Sequence, residues 1–249
     1  MKIANSRILV TGGASGLGQI FVEEFLRLGA KIAIFDYNKD NLEKLSNKKT
    51  FIKGLNCDVS NNEEVEKAFA DLEAQWGIPD ILINNAGIIH SRPLYNPLDR
   101  SQKKHSPEEW QKIINVNLSG TFNVTNNWVE QVISKRKKGI VINISSVCAK
   151  GNSGQSAYSA SKAGIEALSK TWAKELGPRG IRSVAIAPGY TNSGGTKNMV
   201  RSDILTQIEE KTPLRRLGEP IEIFSAIRFV IENDFINGSI LPIDGGLLI

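Results

Sequence analysis

Seven short apolar runs alternate along this chain with amphipathic stretches, and that alternation limits the available folds more than any other feature. The runs are RILVT at 7–11, KIAIF at 31–35, FIKGL at 51–55, DILIN at 80–84, IVINI at 140–144, IRSVAIA at 181–187 and SILPI at 239–243. Each is β-branched or apolar and is edged by Gly, Asp, Asn or Pro, as buried strands are. Between the first two, Leu17, Phe21, Phe25 and Leu28 recur at spacings of three and four, marking one buried helix face that Gly29 closes. Further helices are predicted over about 61–76, 107–135, 156–176 and 219–232, with Ser106-Pro107 and Glu219-Pro220 as helix openings. Strands and helices in strict alternation predict an α/β chain whose parallel sheet is covered by helices on both faces. No long linker or low-complexity segment interrupts it, so residues 1–249 are expected to form one domain.

The first predicted strand runs straight into TGGASGLG, residues 11–18, which opens the first helix. Glycines there let backbone amides approach a pyrophosphate, and the helix N-terminus adds partial positive charge. The spacing, Gly12-x3-Gly16-x-Gly18, differs from the commoner G-x-G-x-x-G, but its place between a strand and a helix favours a nucleotide cradle over a merely tight turn. Asp36 ends the second strand 18 residues after Gly18, close to the spacing of an acid that binds the adenosine ribose. Farther on, Tyr158 and Lys162 stand one helical turn apart among small residues. Alone, that pair would be an ordinary exposed helix contact.

Composition narrows the classes. A net charge of +5 permits polyanion binding, yet the basic residues are dispersed, with short clusters only at Lys48–Lys49, Lys103–Lys104 and 135–138. A solvated lysine-rich surface accounts for them, and no nucleic-acid role is expected. Cys57 and Cys148 are the only cysteines, and neither His90 nor His105 has a partner at ligand spacing, so no metal site is expected. The N-terminus reaches a strand pattern with no charged-then-apolar leader, and no apolar run nears the ~20 residues of a membrane span, so a cytoplasmic location away from membranes is expected.

Four signatures in order, TGGASGLG at 11–18, NNAG at 84–87, a serine in ISSV at 144–147 and YSASK at 158–162, together resemble the short-chain dehydrogenase/reductase family over essentially the whole chain. NGSILPIDGG at 237–246 is a further match. The resemblance implies a single-domain Rossmann fold, here a doubly wound parallel sheet of about seven strands, with NAD as cofactor and a tyrosine-centred hydride chemistry. It casts Tyr158 as general acid/base toward a secondary alcohol or its ketone. A free phenol near a pKa of about 10 is a poor base at neutral pH, and the Lys162 ammonium and oxidised nicotinamide would lower it. Lys162 would also hold the nicotinamide ribose, and Asn117, in VNLSG, would hold a water-linked proton path to that lysine unless it merely bonds helix backbone.

The substrate-polarising serine has two candidates. As the second Ser of ISS, Ser146 matches the family position but lies 12 residues before Tyr158, where 13 is commoner and would point to Ser145. A one-residue shortening of the loop at 147–152 favours Ser146, since loops absorb deletions more easily than strand ends. The cofactor contacts implied are Gly12, Ser15, Gly16, Leu17, Gly18, Asp36, Asp58, Val59, Asn85, Ala86, Gly87, Tyr158, Lys162, Pro188, Thr191 and Ser193. Thr191 and Ser193 make the lining after the sixth strand more polar than the family's usual pattern.

A substrate lid is expected near 190–215, with Gly194-Gly195 as hinge. The basic stretch around 95–105, longer than the family norm, reads as a solvated loop, with contact to an anionic acyl carrier as the alternative. The leading function is an NAD-dependent alcohol/ketone oxidoreductase acting on a small-molecule substrate, with a 3-hydroxyacyl or 3-oxoacyl thioester among the candidates. The alternatives are an NADPH-dependent 3-oxoacyl-carrier-protein reductase and a non-catalytic dinucleotide sensor, which would have no use for the Ser-Tyr-Lys-Asn set. By analogy a homotetramer is expected, with helices near 107–135 and 156–176 pairing between subunits.

Overall fold

The computed structural model describes residues 1–46, 52–193 and 201–249. Its seven strands are β1 Arg7–Thr11, β2 Lys31–Asp36, β3 Ile52–Asn56, β4 Ile81–Asn84, β5 Gly139–Ile144, β6 Ile181–Pro188 and β7 Ile240–Ile243. They lie in one sheet in the order β3-β2-β1-β4-β5-β6-β7, and every pairing is parallel. This is the doubly wound Rossmann arrangement. Each strand falls within a residue or two of its predicted run. Phe51, the first residue of the third run, lies outside the described residues.

The helices are α1 Gly16–Arg27, α2 Lys39–Ser46, α3 Asn62–Gln75, α4 Pro107–Ile114, α5 Gly120–Ser134, α6 Ser156–Leu176, α7 Ser202–Lys211 and α8 Pro220–Glu232. Helices α1 and α8 cover one face of the sheet, where Phe21 and Phe25 pack with Ile223, Phe224 and Ile227. The Phe25 and Phe224 rings meet edge to face with centroids 5.0 Å apart, a geometry suited to the ring quadrupoles. Helices α3, α5 and α6 cover the other face, where Phe35, Phe69, Leu72, Trp128 and Trp172 share a second cluster. Strands buried on both faces carry no alternation, which is why the runs read as continuously apolar.

Helix ends follow local chemistry. Asn61 caps α3 and Ser106 caps α4, each accepting from two backbone N–H groups of the first turn. Pro107 occupies the first turn of α4, and Glu219 with Glu222 forms a reciprocal capping box on α8. Helices α4 and α5 join through a π-helical turn at Asn115–Ser119, within the single helix expected over 107–135.

Two helices that the apolar pattern did not reveal are α2 and α7; both are short and polar. Of the expected lid, residues 194–200, the Gly194-Gly195 hinge included, lie outside the described residues, and 202–211 form α7. The base of that segment is pinned: Thr191 bridges Gly218, the Asn192 N–H donates to the Gly218 carbonyl at 2.7 Å, and the Gly218 N–H donates to the Tyr190 carbonyl at 2.9 Å. The basic stretch folds back on itself through a Tyr95–Lys104 bridge, with Arg92 paired to Asp99 at 3.0 Å.

Candidate active site

Strand order reverses between β1 and β4, and in a doubly wound sheet the crevice outside the strands' carboxyl ends at that point receives ligands. A cleft of about 530 Å³ opens there. Residues following β1, β2, β3, β4, β5 and β6 line it, including Gly12, Ser15, Gly16, Leu17, Asp36, Asp58, Val59, Asn85, Ala86, Gly87, Ser145, Ser146, Tyr158, Lys162, Pro188, Thr191 and Ser193. Of the predicted site residues only Gly18 and Asn117 stand behind the wall, and each supports it from there.

The glycine turn is held by close approach. A Cβ on Gly18 would collide with the Gly12 carbonyl oxygen, so the turn closes only with glycine at that position. Gly16 has φ +54, and a Cβ there would meet nothing within 4 Å, so this part of the turn faces open space. Ser15 is extended and offers no side-chain cap, and the first turn of α1 carries no acid, so the N–H groups there remain available to an anion.

Thr11, which sequence reasoning passed over as the first letter of the glycine motif, ties the turn to the β4 loop. Its buried Oγ1 accepts from the N–H groups of Asn85 and Ala86, each at 3.0 Å. Asn85 Nδ2 donates back to the carbonyls of Thr11 and Gly12, both at 3.1 Å. Asp36 is buried, its Oδ2 accepting from the Ala14 N–H at 2.9 Å and its Oδ1 from the Asn38 N–H at 3.0 Å. A carboxylate oxygen accepts more than one bond, so both retain capacity toward the cleft. Lys39 turns to Glu43, 3.8 Å away. Asp58 is exposed, with Oδ1 engaged by the N–H and hydroxyl of Ser60. Val59 is buried, its carbonyl held by Asn123 at 3.1 Å. Thr191 and Ser193 are buried, and the Thr191 hydroxyl donates to Ser193 Oγ at 3.4 Å.

Tyr158 and Lys162 project from the first turns of α6. Lys162 is buried, its Nζ donates to the Ile144 carbonyl at 2.8 Å, and burial lowers its ammonium to about 8. It stands 5.5 Å from the Tyr158 ring centroid. Burial pushes Tyr158 above its ordinary value, the neighbouring Cys148 adds to this, and Ser146 pulls the other way.

The two serines point to different places. The Ser145 hydroxyl is directed at the Lys162 carbonyl (3.2 Å) and Glu166 Oε1 (3.0 Å), which ties β5 to α6. Ser146 begins the next turn, where its Oγ accepts from the Cys148 N–H at 3.2 Å, and it lines the cleft with Tyr158.

Asn117 is fully buried in the π turn, a distortion that recurs at functional sites. Its Oδ1 accepts from the Ile88 N–H at 2.8 Å, and its Nδ2 donates to the Ile88 carbonyl at 2.9 Å and to Ser161 Oγ at 3.2 Å. Its side chain therefore bonds the loop after β4 and helix α6 rather than its own helix backbone. A Cβ on Gly87 would stand 3.3 Å from Asn117 Oδ1 and 3.6 Å from Lys162 Nζ, so both flank this glycine. Among the described residues no cluster of His, Cys, Asp and Glu could hold a metal ion.

A parallel sheet with a glycine turn at its switch point, and a Ser-Tyr-Lys-Asn group one wall away, defines a nucleotide-dependent oxidoreductase of CH–OH groups. The comparisons agree. A family model described as enoyl-(acyl carrier protein) reductase matches residues 12–248. A 3-oxoacyl-[acyl-carrier-protein] reductase of Thermotoga maritima is 35% identical over all of both chains. The 3-hydroxyacyl-CoA dehydrogenase type-2 of Bos taurus is 35% identical over 96% of this chain and 94% of its own, and that of Homo sapiens 34% over the same shares. The chain belongs to the short-chain dehydrogenase/reductase family.

Replacing Thr11 with Val keeps the shape and removes the acceptor of two backbone N–H groups. Denaturant titration should show a loss of about 1–3 kcal/mol, with weaker NADH binding by fluorescence titration. Wild-type stability and affinity in the variant would show that the pin carries no weight.

Proposed function

We propose that this chain transfers a hydride between NAD(H) and the C3 carbon of a 3-hydroxyacyl or 3-oxoacyl thioester, with Tyr158 as general acid/base. The observation that carries this reading is the convergence of Tyr158 and Ser146 on one cleft wall beside the buried Lys162. The names of the relatives, acyl-carrier-protein reductases and acyl-CoA dehydrogenases, support the substrate class.

The residues fit a dinucleotide. Gly16 leaves open space where a Cβ would intrude, and the uncapped first turn of α1 offers N–H groups to a pyrophosphate. Asp36 would receive the adenosine ribose, with Asp58 and Val59 at the adenine edge, and Pro188, Thr191 and Ser193 would line the nicotinamide end; all of them line the cleft. A nicotinamide, when bound, would supply the hydride.

The chain's own work is proton handling and orientation. Ser146 presents its hydroxyl proton to the substrate oxygen, because its Oγ already accepts from the Cys148 N–H. Tyr158 gives its proton to that oxygen in reduction and takes it back in oxidation. Burial keeps the phenol protonated, which suits reduction. Lys162, within the cleft wall, would hold the nicotinamide ribose. Asn117 fixes the Ile88 backbone beside Lys162, where a water could pass protons onward.

We further propose a cytoplasmic homotetramer. Trp110 and Phe122 are exposed along the 107–134 helix, as are Phe229 and Phe235 on and just after α8 near the open edge of the sheet. These are apolar surfaces a second copy would cover. Among the described residues no helix is long and apolar enough to cross a membrane.

In a folded Tyr158→Phe protein, NADH binding should persist while kcat falls at least ~100-fold; in the same assay Ser146→Ala should cost far more kcat/KM than Ser145→Ala. Retained turnover without the phenol would refute the mechanism, and the reverse serine order would shift that role to Ser145.

Cofactor choice rests on Asp36. A 2′-phosphate would bring negative charge to within ~5 Å of its carboxylate, costing about 3 kcal/mol per charge pair at an effective dielectric near 20 before screening. Tyr37 and Asn38 supply no guanidinium to offset it, and Lys39 is paired elsewhere. Wild type should therefore prefer NAD(H) in kcat/KM, and Asp36→Ser should narrow that preference. Equal or better use of NADP(H) by the wild type would contradict the assignment.

A further inference from the structure

The proposed chemistry leaves a polar cluster on the substrate side of the cleft without a task. Tyr190 follows β6, and its Oη accepts from Asn152 Nδ2 at 3.1 Å. That same nitrogen reaches Gln155 Oε1 at 3.1 Å and Cys148 Sγ at 3.6 Å. The cluster is anchored on three sides: Gln155 Nε2 donates to Ser91 Oγ at 3.0 Å, the Asn152 N–H to Ser159 Oγ at 3.2 Å, and the Gly218 N–H to the Tyr190 carbonyl at 2.9 Å. Tyr190, Cys148, Ser146 and Tyr158 all line the same cleft.

Counting protons shows what the cluster offers. Asn152 fills an acceptor position on Tyr190 Oη, so the phenol's own O–H must be donated elsewhere. The protein group beside it is the Cys148 sulfur, a weak acceptor that Asn152 Nδ2 also reaches. An oxygen entering the cleft would be a better one. Burial and the neighbouring Cys148 raise the Tyr190 phenol, so it stays a neutral donor through the physiological range.

We propose that Tyr190 is a specificity-determining residue whose O–H binds a second carbonyl oxygen, one methylene away from the carbonyl held by Ser146 and Tyr158. Asn152 and Cys148 hold it in place for that contact. This rests on the reading of the substrate as a 3-oxoacyl thioester, in which the thioester carbonyl stands in that relation to the reacting ketone. A plain ketone has no acceptor there and gains nothing from Tyr190. Discrimination of this kind, in which a buried donor is left unmatched by the wrong substrate, is stronger than hydrophobic fit alone provides.

The test compares wild type, Tyr190→Phe and Asn152→Leu on the acetoacetyl thioester of N-acetylcysteamine and on 2-heptanone, each with saturating NADH. Tyr190→Phe should lower kcat/KM for the thioester by about tenfold or more and leave the ketone within about twofold. Asn152→Leu, which frees Tyr190 without removing it, should shift selectivity in the same direction, and NADH affinity should match wild type in both. A wild type active on the thioester whose Tyr190→Phe variant loses nothing, or loses equally on both substrates, overturns the assignment of Tyr190 alone. A wild type inactive on the thioester overturns the substrate class and this contact together.

Discussion

The site depends on one join. Strands β1 and β4 are neighbours whose following loops leave in opposite directions, and this divergence opens the cleft. Diverging loops would leave backbone N–H groups unpaired at a point where water is partly excluded. The Thr11 hydroxyl and the Asn85 amide satisfy these groups reciprocally across the gap. The glycine turn then adopts its tight conformation against a fixed neighbour, and Asp36 adds a third strand by holding the Ala14 N–H. Three strand ends are thereby locked into one rigid ledge, as a site built for precise placement requires.

A second join sets the reacting side. Asn117 bonds both polar groups of Ile88 and reaches Ser161, so the loop after β4 and helix α6 move as one body. Ser145 does the same between β5 and α6 through the Lys162 carbonyl and Glu166. Below them a buried chain runs from Thr125 through Asn84 and Asn143 to Ser169, linking two central strands to the helices over them. Each polar group is expensive to bury unpaired, so the network rewards one arrangement. Ser145 therefore explains itself as a tether, and its neighbour Ser146 is left on the cleft wall with Tyr158.

Much of this was legible in the residues. The strands announced themselves because a parallel sheet buried on both faces needs uninterrupted apolar runs, and the glycine turn because Gly18 has no room for a Cβ. The π turn was not legible: one extra residue in a helix barely disturbs its apolar periodicity, and Asn117 shows its purpose only once Ile88 lies beside it. Thr11 looked like the end of a β-branched run, and nothing local says that its hydroxyl meets residues 85 and 86. Helices α2 and α7 were missed because their apolar faces are short.

The central claim is that the ledge and the reacting side act on one bound pair of reactants. Rapid mixing of equimolar enzyme and NADH with a 3-oxoacyl thioester tests it most directly, following NADH oxidation and the 3-hydroxy product together. The account predicts that both proceed at one rate and in equal amounts. Tight NADH binding with neither oxidation nor product, under conditions where the thioester is bound, would contradict it and leave a dinucleotide sensor in its place.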